Sequence, residues 1–394
     1  MPRVLSSPSP NTRSSLFHTP VFRLASCILF LLITHSAAFA EHVHQLYYNN
    51  SQWVDQDLTT LTGGGIASDF GAIVAFTTPG PQFHVYYVDS TFQHVHQLYY
   101  NGSSWSDSDL TAIVNGPTAD VYGLAGFAIG NFQYVFYVDT SNHVHELDYV
   151  NNWADQDLTA TVGGNLASAA PMVAFPTKPN NQFHVYYQDV SSLHEYQLYF
   201  NGSTWSYQDL TSLTGAYCYT QWATGVAVGN MQHVVCPGYA GSSDNLDLLD
   251  INYNNSVWSY QDITFLAQSS PINLSSGLAV FPVLSQGEVY GVTDDTHIHQ
   301  YTYKRAQWTG IDLTASVGAP SDPYFGAMVA FPTKPNNQFH IYYQPTNDVY
   351  QLFYNGSAWA INNLTNSGQV SYDSGMAGFA IGNLQHVFYL STGN

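Results

Sequence analysis

The sequence predicts an all-β protein, a seven-bladed β-propeller with four antiparallel strands per blade. Three observations carry that prediction. Tryptophans recur at Trp53, Trp105, Trp153, Trp205, Trp258, Trp308 and Trp359, 48 to 53 residues apart, a period that suits a propeller or solenoid rather than separate domains. Each period holds four short apolar and aromatic segments separated by Gly, Asn and Ser turns. The two ends of the repeating region are complementary half-repeats.

Composition agrees. Only 9% of the 394 residues are charged, against roughly 25% in ordinary globular domains. The chain carries 30 Tyr, 22 Phe and 8 Trp, a load that excludes a disordered polypeptide and fits half-buried strands. Lys, Glu and Arg, the usual fillers of helix surfaces, are scarce.

In chain order, residues 1–40 read as a signal peptide: Arg3, Arg13 and Arg23 precede the apolar run Leu24 to Ile33, and Ala38-Phe39-Ala40 follows. A core of about ten residues is short of the roughly 20 that span a bilayer, which favours a cleaved leader over an uncleaved anchor. Residues 41–394 are then the propeller. Removing the leader takes three of the seven basic residues and none of the 27 acidic ones, leaving four against 27, a formal charge of −23. With only Lys178, Lys304, Arg305 and Lys334 as cations, phosphate backbones and anionic membranes are excluded as expected partners.

The propeller region opens on a third strand, His42 to Tyr48, and a fourth, Trp53 to Thr59. One full repeat shows the pattern: Gly123 to Ile129, closed by Gly130-Asn131, then Gln133 to Asp139, His143 to Tyr149 and Trp153 to Thr159. Asn101-Gly102, Asn201-Gly202 and Asn355-Gly356 stand between third and fourth strands, a dipeptide suited to a tight hairpin with positive φ at both residues. Both faces of these strands are apolar or aromatic, as expected of sheets sandwiched between neighbours. The chain finishes with a first strand, Met376 to Ile381, and a second, Gln385 to Leu390. Together the ends make one blade, which closes the ring; an open solenoid has no reason for such complementarity.

The segments Phe83 to Tyr87 and Phe183 to Tyr187 (Phe-His-Val-Tyr-Tyr), with Val95 to Trp105 (Val-His-Gln-Leu-Tyr-Tyr-Asn-Gly-Ser-Ser-Trp), resemble the blades of fucose-specific lectin-type β-propellers. That resemblance implies sugar pockets between adjacent blades, each using an Arg on the second strand, a Glu on the third, and aromatic walls. The Arg position maps to His84, Tyr134, His184, His233, Glu288, His340 and His386. The Glu position maps to Gln97, Glu146, Gln197, Asp250, Gln300, Gln351 and, across the closure, Gln45. Trp105 and Trp205, with Tyr86 and Tyr99, are candidate walls. No blade keeps the Arg, so fucose itself is not implied; His and Gln both donate and accept, which suits neutral hydroxyls. The competing reading makes these side chains inter-strand ties and blade core.

Other motifs point to structure. The pairs His42/His44, His94/His96, His143/His145 and His297/His299 place two imidazoles on one strand face, but no third ligand is signalled and no metal is expected. The recurrent Asp of Asp-Leu-Thr (Asp57, Asp109, Asp157, Asp209, Asp312, and Asp262 before Ile) reads as a turn or backbone tie rather than a calcium ligand. Seven sequons, at Asn49, Asn101, Asn201, Asn254, Asn273, Asn355 and Asn363, partly coincide with hairpin turns, so turn chemistry alone explains them. Cys218 and Cys236 are a candidate disulfide, with two buried thiols as the alternative. There is no nucleophile elbow, HExxH or phosphate loop, and the one break in symmetry runs through Cys218, Trp222, Cys236 and Gly238 to Asp250. The sequence therefore reads as a secreted, multivalent carbohydrate-binding protein for glycans or glycoconjugates, with no cofactor and no enzymatic activity. The alternative is a scaffold that binds protein partners and no sugar.

Overall fold

A computed structural model describes residues 41–392, except 50, 179–181, 220–222, 241–245, 273–276, 284–285, 293–295, 306, 322–326, 335–337, 366–369 and 372–374, and the side chains of 281–283, 286–288 and 292. The expected leader, Trp222 and Asn273 lie outside the described residues. Seven antiparallel sheets are present. Blade 1 runs from the centre outwards as Val74–Thr78, Gln82–Val88, Val95–Tyr100 and Trp105–Asp109. Blades 2 to 6 begin at Ala119–Ile129, Val173–Thr177, Thr224–Val228, Leu278–Val283 and Val329–Thr333. Blade 7 takes Met376–Ile381 and Leu384–Thr392 from one end of the chain and Glu41–Asn49 and Gln52–Asp57 from the other. Its central pairing runs from Glu41 with Thr392 to Tyr47 with His386. Each innermost strand lies beside the innermost strands of both neighbouring blades, so the ring is closed.

The core is a set of seven seams, one per blade interface, because each sheet buries both faces against neighbours. Phe136 and Val138 of blade 2, for example, pack with Val185, Tyr187 and Leu198 of blade 3, and Val43, Phe388 and Leu390 of blade 7 pack with Val85, Tyr87 and Leu98 of blade 1. Two blade types alternate over part of the ring. Blades 1, 3 and 6 place Phe76, Phe175 and Phe331 over Gly126, Gly225 and Gly378 of the blade that follows. A Cβ on Gly225 would stand 2.7 Å from the Phe175 ring, so no larger residue fits without moving the seam.

The fourth strands end earlier than expected, and the Asp-Leu-Thr segment is helical. Asp57, Asp109, Asp157, Asp209, Asp262 and Asp312 each cap a five-residue helix by accepting the backbone N–H three residues on. The following Leu or Ile is fully buried. Next comes a Thr whose Oγ1, in Thr59, Thr111, Thr159 and Thr211, accepts the third-strand N–H of Val43, Val95, Val144 and Glu195 at 2.7 to 2.9 Å. The Asp is thus the expected tie, made through a helix cap.

The Asn-Gly turns also differ from expectation. Only the glycines, Gly102, Gly202 and Gly356, have positive φ. Asn101 Oδ1 instead accepts the N–H of Ser103 and Ser104, an Asx turn in a longer loop. Cys218 and Cys236 form a disulfide that ties a short extra strand, Tyr217–Cys218, to the second strand of blade 4. Among the described residues no helix is long and apolar enough to cross a membrane.

Candidate functional site

Strand register brings the expected pairs together. Tyr86 lies opposite Gln97 and His84 opposite Tyr99, on neighbouring strands, so the imidazole and the amide converge within the sheet. Gln97 Nε2 stands 3.0 Å from His84 Nδ1, 2.9 Å from Tyr86 Oη and 2.8 Å from Oε1 of Gln133, which belongs to blade 2. Tyr86 Oη also donates to Gln133 Oε1, and Thr78 Oγ1 holds His84 Nε2 at 2.9 Å. With an amide N–H aimed at Nδ1, the imidazole is neutral and carries its proton on Nε2.

The same network recurs at two more seams. Gln197 meets His184 at 3.0 Å, Tyr186 at 2.8 Å and Gln232 of blade 4 at 2.6 Å. Gln351 meets His340 at 3.1 Å, Tyr342 at 3.0 Å and Gln385 of blade 7 at 2.8 Å. Outer-strand amides extend both: Gln208 donates to Gln197 at 2.5 Å and Asn362 to Gln351 at 3.1 Å. His84 and His184 are 2% exposed and Gln197 1%, and burial lowers all of His84, His184, His340 and His386 to about 4. The side chains of the three His–Gln networks are hydrogen-bonded to one another, and they tie blades together.

The remaining positions vary. Gln45 meets His386 at 2.8 Å, and the His386 ring lies 4.6 Å from Phe83 of blade 1. Tyr134 packs 4.4 Å from Phe183 of blade 3. Glu146 is buried, and burial, with the charge of Asp148, pushes it up to about 8 against a hydrogen bond from Trp205. His233 Nδ1 stands 3.1 Å from both oxygens of Asp250; burial opposes its charge, but the hydrogen bond and the carboxylate raise it overall. Gln300 donates to Tyr290 at 3.3 Å. The Glu288 side chain lies outside the described residues.

Trp105 and Trp205 are half-buried wedges between blades. Trp105 meets Phe388 of blade 7 edge-on at 6.2 Å, and Trp205 meets Phe136 of blade 2 at 6.1 Å. The first histidine of each pair supports a helix cap, and the second of three pairs meets a fourth-strand Asp. Nδ1 of His42, His94, His143 and His297 stands 2.6 to 2.8 Å from the capping Asp. His44, His96 and His145 meet Asp55, Asp107 and Asp155.

A cleft of about 800 Å³ opens at the seam of blades 4 and 5, and sequence reading missed its lining. Gln261 and Gln268 of blade 4 face Tyr303, Gln307, Trp308 and Thr309 of blade 5. Trp308 Nε1 donates to Gln261 Oε1 at 3.0 Å, and the Tyr303 and Trp308 rings lie 5.2 Å apart. In blade 3 the corresponding outer-strand amide, Gln208, turns inwards to Gln197. In blade 4 the third strand offers Asp250, already engaged by His233, and Gln261 faces the next blade. The available signal was a Gln three residues after Trp258 beside an acidic third-strand partner.

No family model matches this sequence, and no curated protein matches it. Solved structures do. The BP39L lectin from Burkholderia pseudomallei shares 14% identity at a TM-score of 0.60, over 82% of this chain and 97% of that one. AofleA from Arthrobotrys oligospora shares 14% at 0.51, over 88% and 92%. The SapL1 lectin, solved with α-methyl fucoside, shares 14% at 0.50, over 75% and 96%. At this identity the likeness is one of fold, and at that level the resemblance to sugar-binding propellers holds.

Proposed function

We propose that this chain is a secreted, non-catalytic, multivalent carbohydrate-binding protein whose saccharides sit in the clefts between blades. The observation that carries the reading is the cleft between blades 4 and 5, where two aromatic rings and three amide side chains converge with no carboxylate or basic side chain in the lining. Aromatic faces suit the C–H face of a pyranose, and amides both donate to and accept from hydroxyls. At the other seams the buried His–Gln pairs at positions 84/97, 184/197 and 340/351 hold the blades in register, and half-buried tryptophans such as Trp105 and Trp205 would supply the aromatic wall of a saccharide site. Several weak sites on one rigid ring bind multivalent surfaces tightly through effective concentration.

A glycan array with the mature protein, followed by inhibition with the free saccharide, tests this. Binding to a defined set of glycans, abolished by that saccharide, is expected. Absence of binding across neutral and acidic glycans would refute it and leave the protein-binding scaffold.

A further inference from the structure

We propose that the cleft between blades 4 and 5 selects an acidic saccharide, one that presents a carboxylate. This rests on the carbohydrate-binding reading above and names the ligand class at one of its sites. The hairpin joining the third and fourth strands of blade 5 carries Lys304 and Arg305, both exposed. Lys304 lies opposite Gln307, and Tyr303 opposite Trp308; Gln307, Tyr303 and Trp308 all line the cleft. The two exposed cations therefore follow Tyr303 by one and two residues, in the turn next to the rings on which a sugar would stack.

Their placement is selective. Past residue 40 the chain has four basic residues, and two of them occupy this single turn. The corresponding turns elsewhere are uncharged: Asn49-Asn50-Ser51, Asn101-Gly102, Val150-Asn151-Asn152, Asn201-Gly202, Asn254-Asn255-Ser256 and Asn355-Gly356. Arg305 also holds a left-handed backbone, φ 52°, where the matching residue of blade 4 is Asn255, φ 49°. Asn and Gly adopt that conformation readily, and a long side chain does so at a cost. Turn chemistry thus does not account for the Arg. A cleft without acidic lining, in a chain of 27 carboxylates, gives a saccharide carboxylate an attractive turn nearby and no repulsive wall, with the Arg fork matched to carboxylate geometry.

The test compares 3′-sialyllactose and methyl β-D-glucuronide with lactose and methyl β-D-glucoside, using the mature chain and a Lys304→Asn/Arg305→Asn variant. The variant adopts the turn chemistry of the other blades, so its thermal unfolding should match the parent. Expected are binding of an acidic probe in preference to its neutral partner, weakening as salt rises from 50 to 500 mM, and a roughly fivefold to tenfold loss in the variant, as for two exposed charges worth about 0.5 to 0.7 kcal/mol each. Trp308→Phe should weaken the same probe. Equal binding of acidic and neutral partners, or an acidic preference unchanged in the Asn/Asn variant, overturns the inference while leaving a neutral-glycan lectin intact. Failure of every saccharide, on the array as well, overturns both.

Discussion

Replacing His184 with Ala asks whether the buried imidazole serves the fold or a ligand. The ring is 2% exposed and is held by Gln197 at 3.0 Å and Thr177 at 3.2 Å. Its removal opens a cavity, costing about 2–3 kcal/mol for a ring of this size, and leaves an amide and a hydroxyl each short of one partner, about 1–2 kcal/mol more. The total is on the order of 3–5 kcal/mol. Near 60 °C unfolding entropy is about 2.1 cal/mol/K per residue, or roughly 0.7 kcal/mol/K for a ring of about 350 residues, so Tm should fall by about 4–7 °C. His340 occupies the matching position in blade 6, and the double variant should lose nearly the sum because the two sites are far apart. Differential scanning calorimetry paired with glycan-surface binding at 25 °C measures both effects. A Tm within 1 °C of the parent, with binding lost, would refute the structural role and return these histidines to the ligand.

Acidification should destabilise the ring. His84, His184, His340 and His386 are each lowered to about 4, so their stabilising contribution is complete above the unfolded value near 6.5 and is lost as pH falls from there through 4; a urea midpoint that stays flat between pH 6.5 and 4 would contradict this. Glu195 stands fully buried where other blades place Val95 or Val144, and burial pushes its carboxyl well above the usual range. Its cost therefore grows as pH rises past the ordinary carboxylate value, and Glu195→Val should raise Tm at pH 8 by more than at pH 4, as calorimetry at the two pH values would show. Thr111→Val removes the acceptor of the Val95 N–H and should cost about 1–2 kcal/mol in urea titration. Deleting residues 41–57 strips two strands from blade 7 and exposes the edge of Leu384–Thr392, so light scattering should report aggregation; a monomer melting like the parent would contradict ring closure.

The ring was legible because its signals are periodic and local: seven tryptophans at one spacing, and two half-repeats that are each other's complement. The short helices were not. Five residues fall below the window in which helical periodicity shows, and Asp-Leu-Thr reads equally well as a strand end until the cap from Asp109 to the Ala112 N–H is seen. The His–Gln pairs were found, and one of the two readings made them inter-strand ties, but the residue that completes each network was not, because it belongs to the next blade. Gln133 lies 36 residues beyond Gln97, on a strand whose packing partner no local pattern names. The cleft lining is hidden for the same reason: Gln261 and Trp308 are 47 residues apart and meet only at a seam.

Surface plasmon resonance on an active glycan immobilised at low and high density tests the central claim, several saccharide sites on one rigid ring, most directly. The account predicts rapid dissociation from the sparse surface and dissociation slowed at least a hundredfold, on the order of the avidity gain from linked weak sites, from the dense one. Dissociation independent of density, or no response to any glycan at either density, would contradict it.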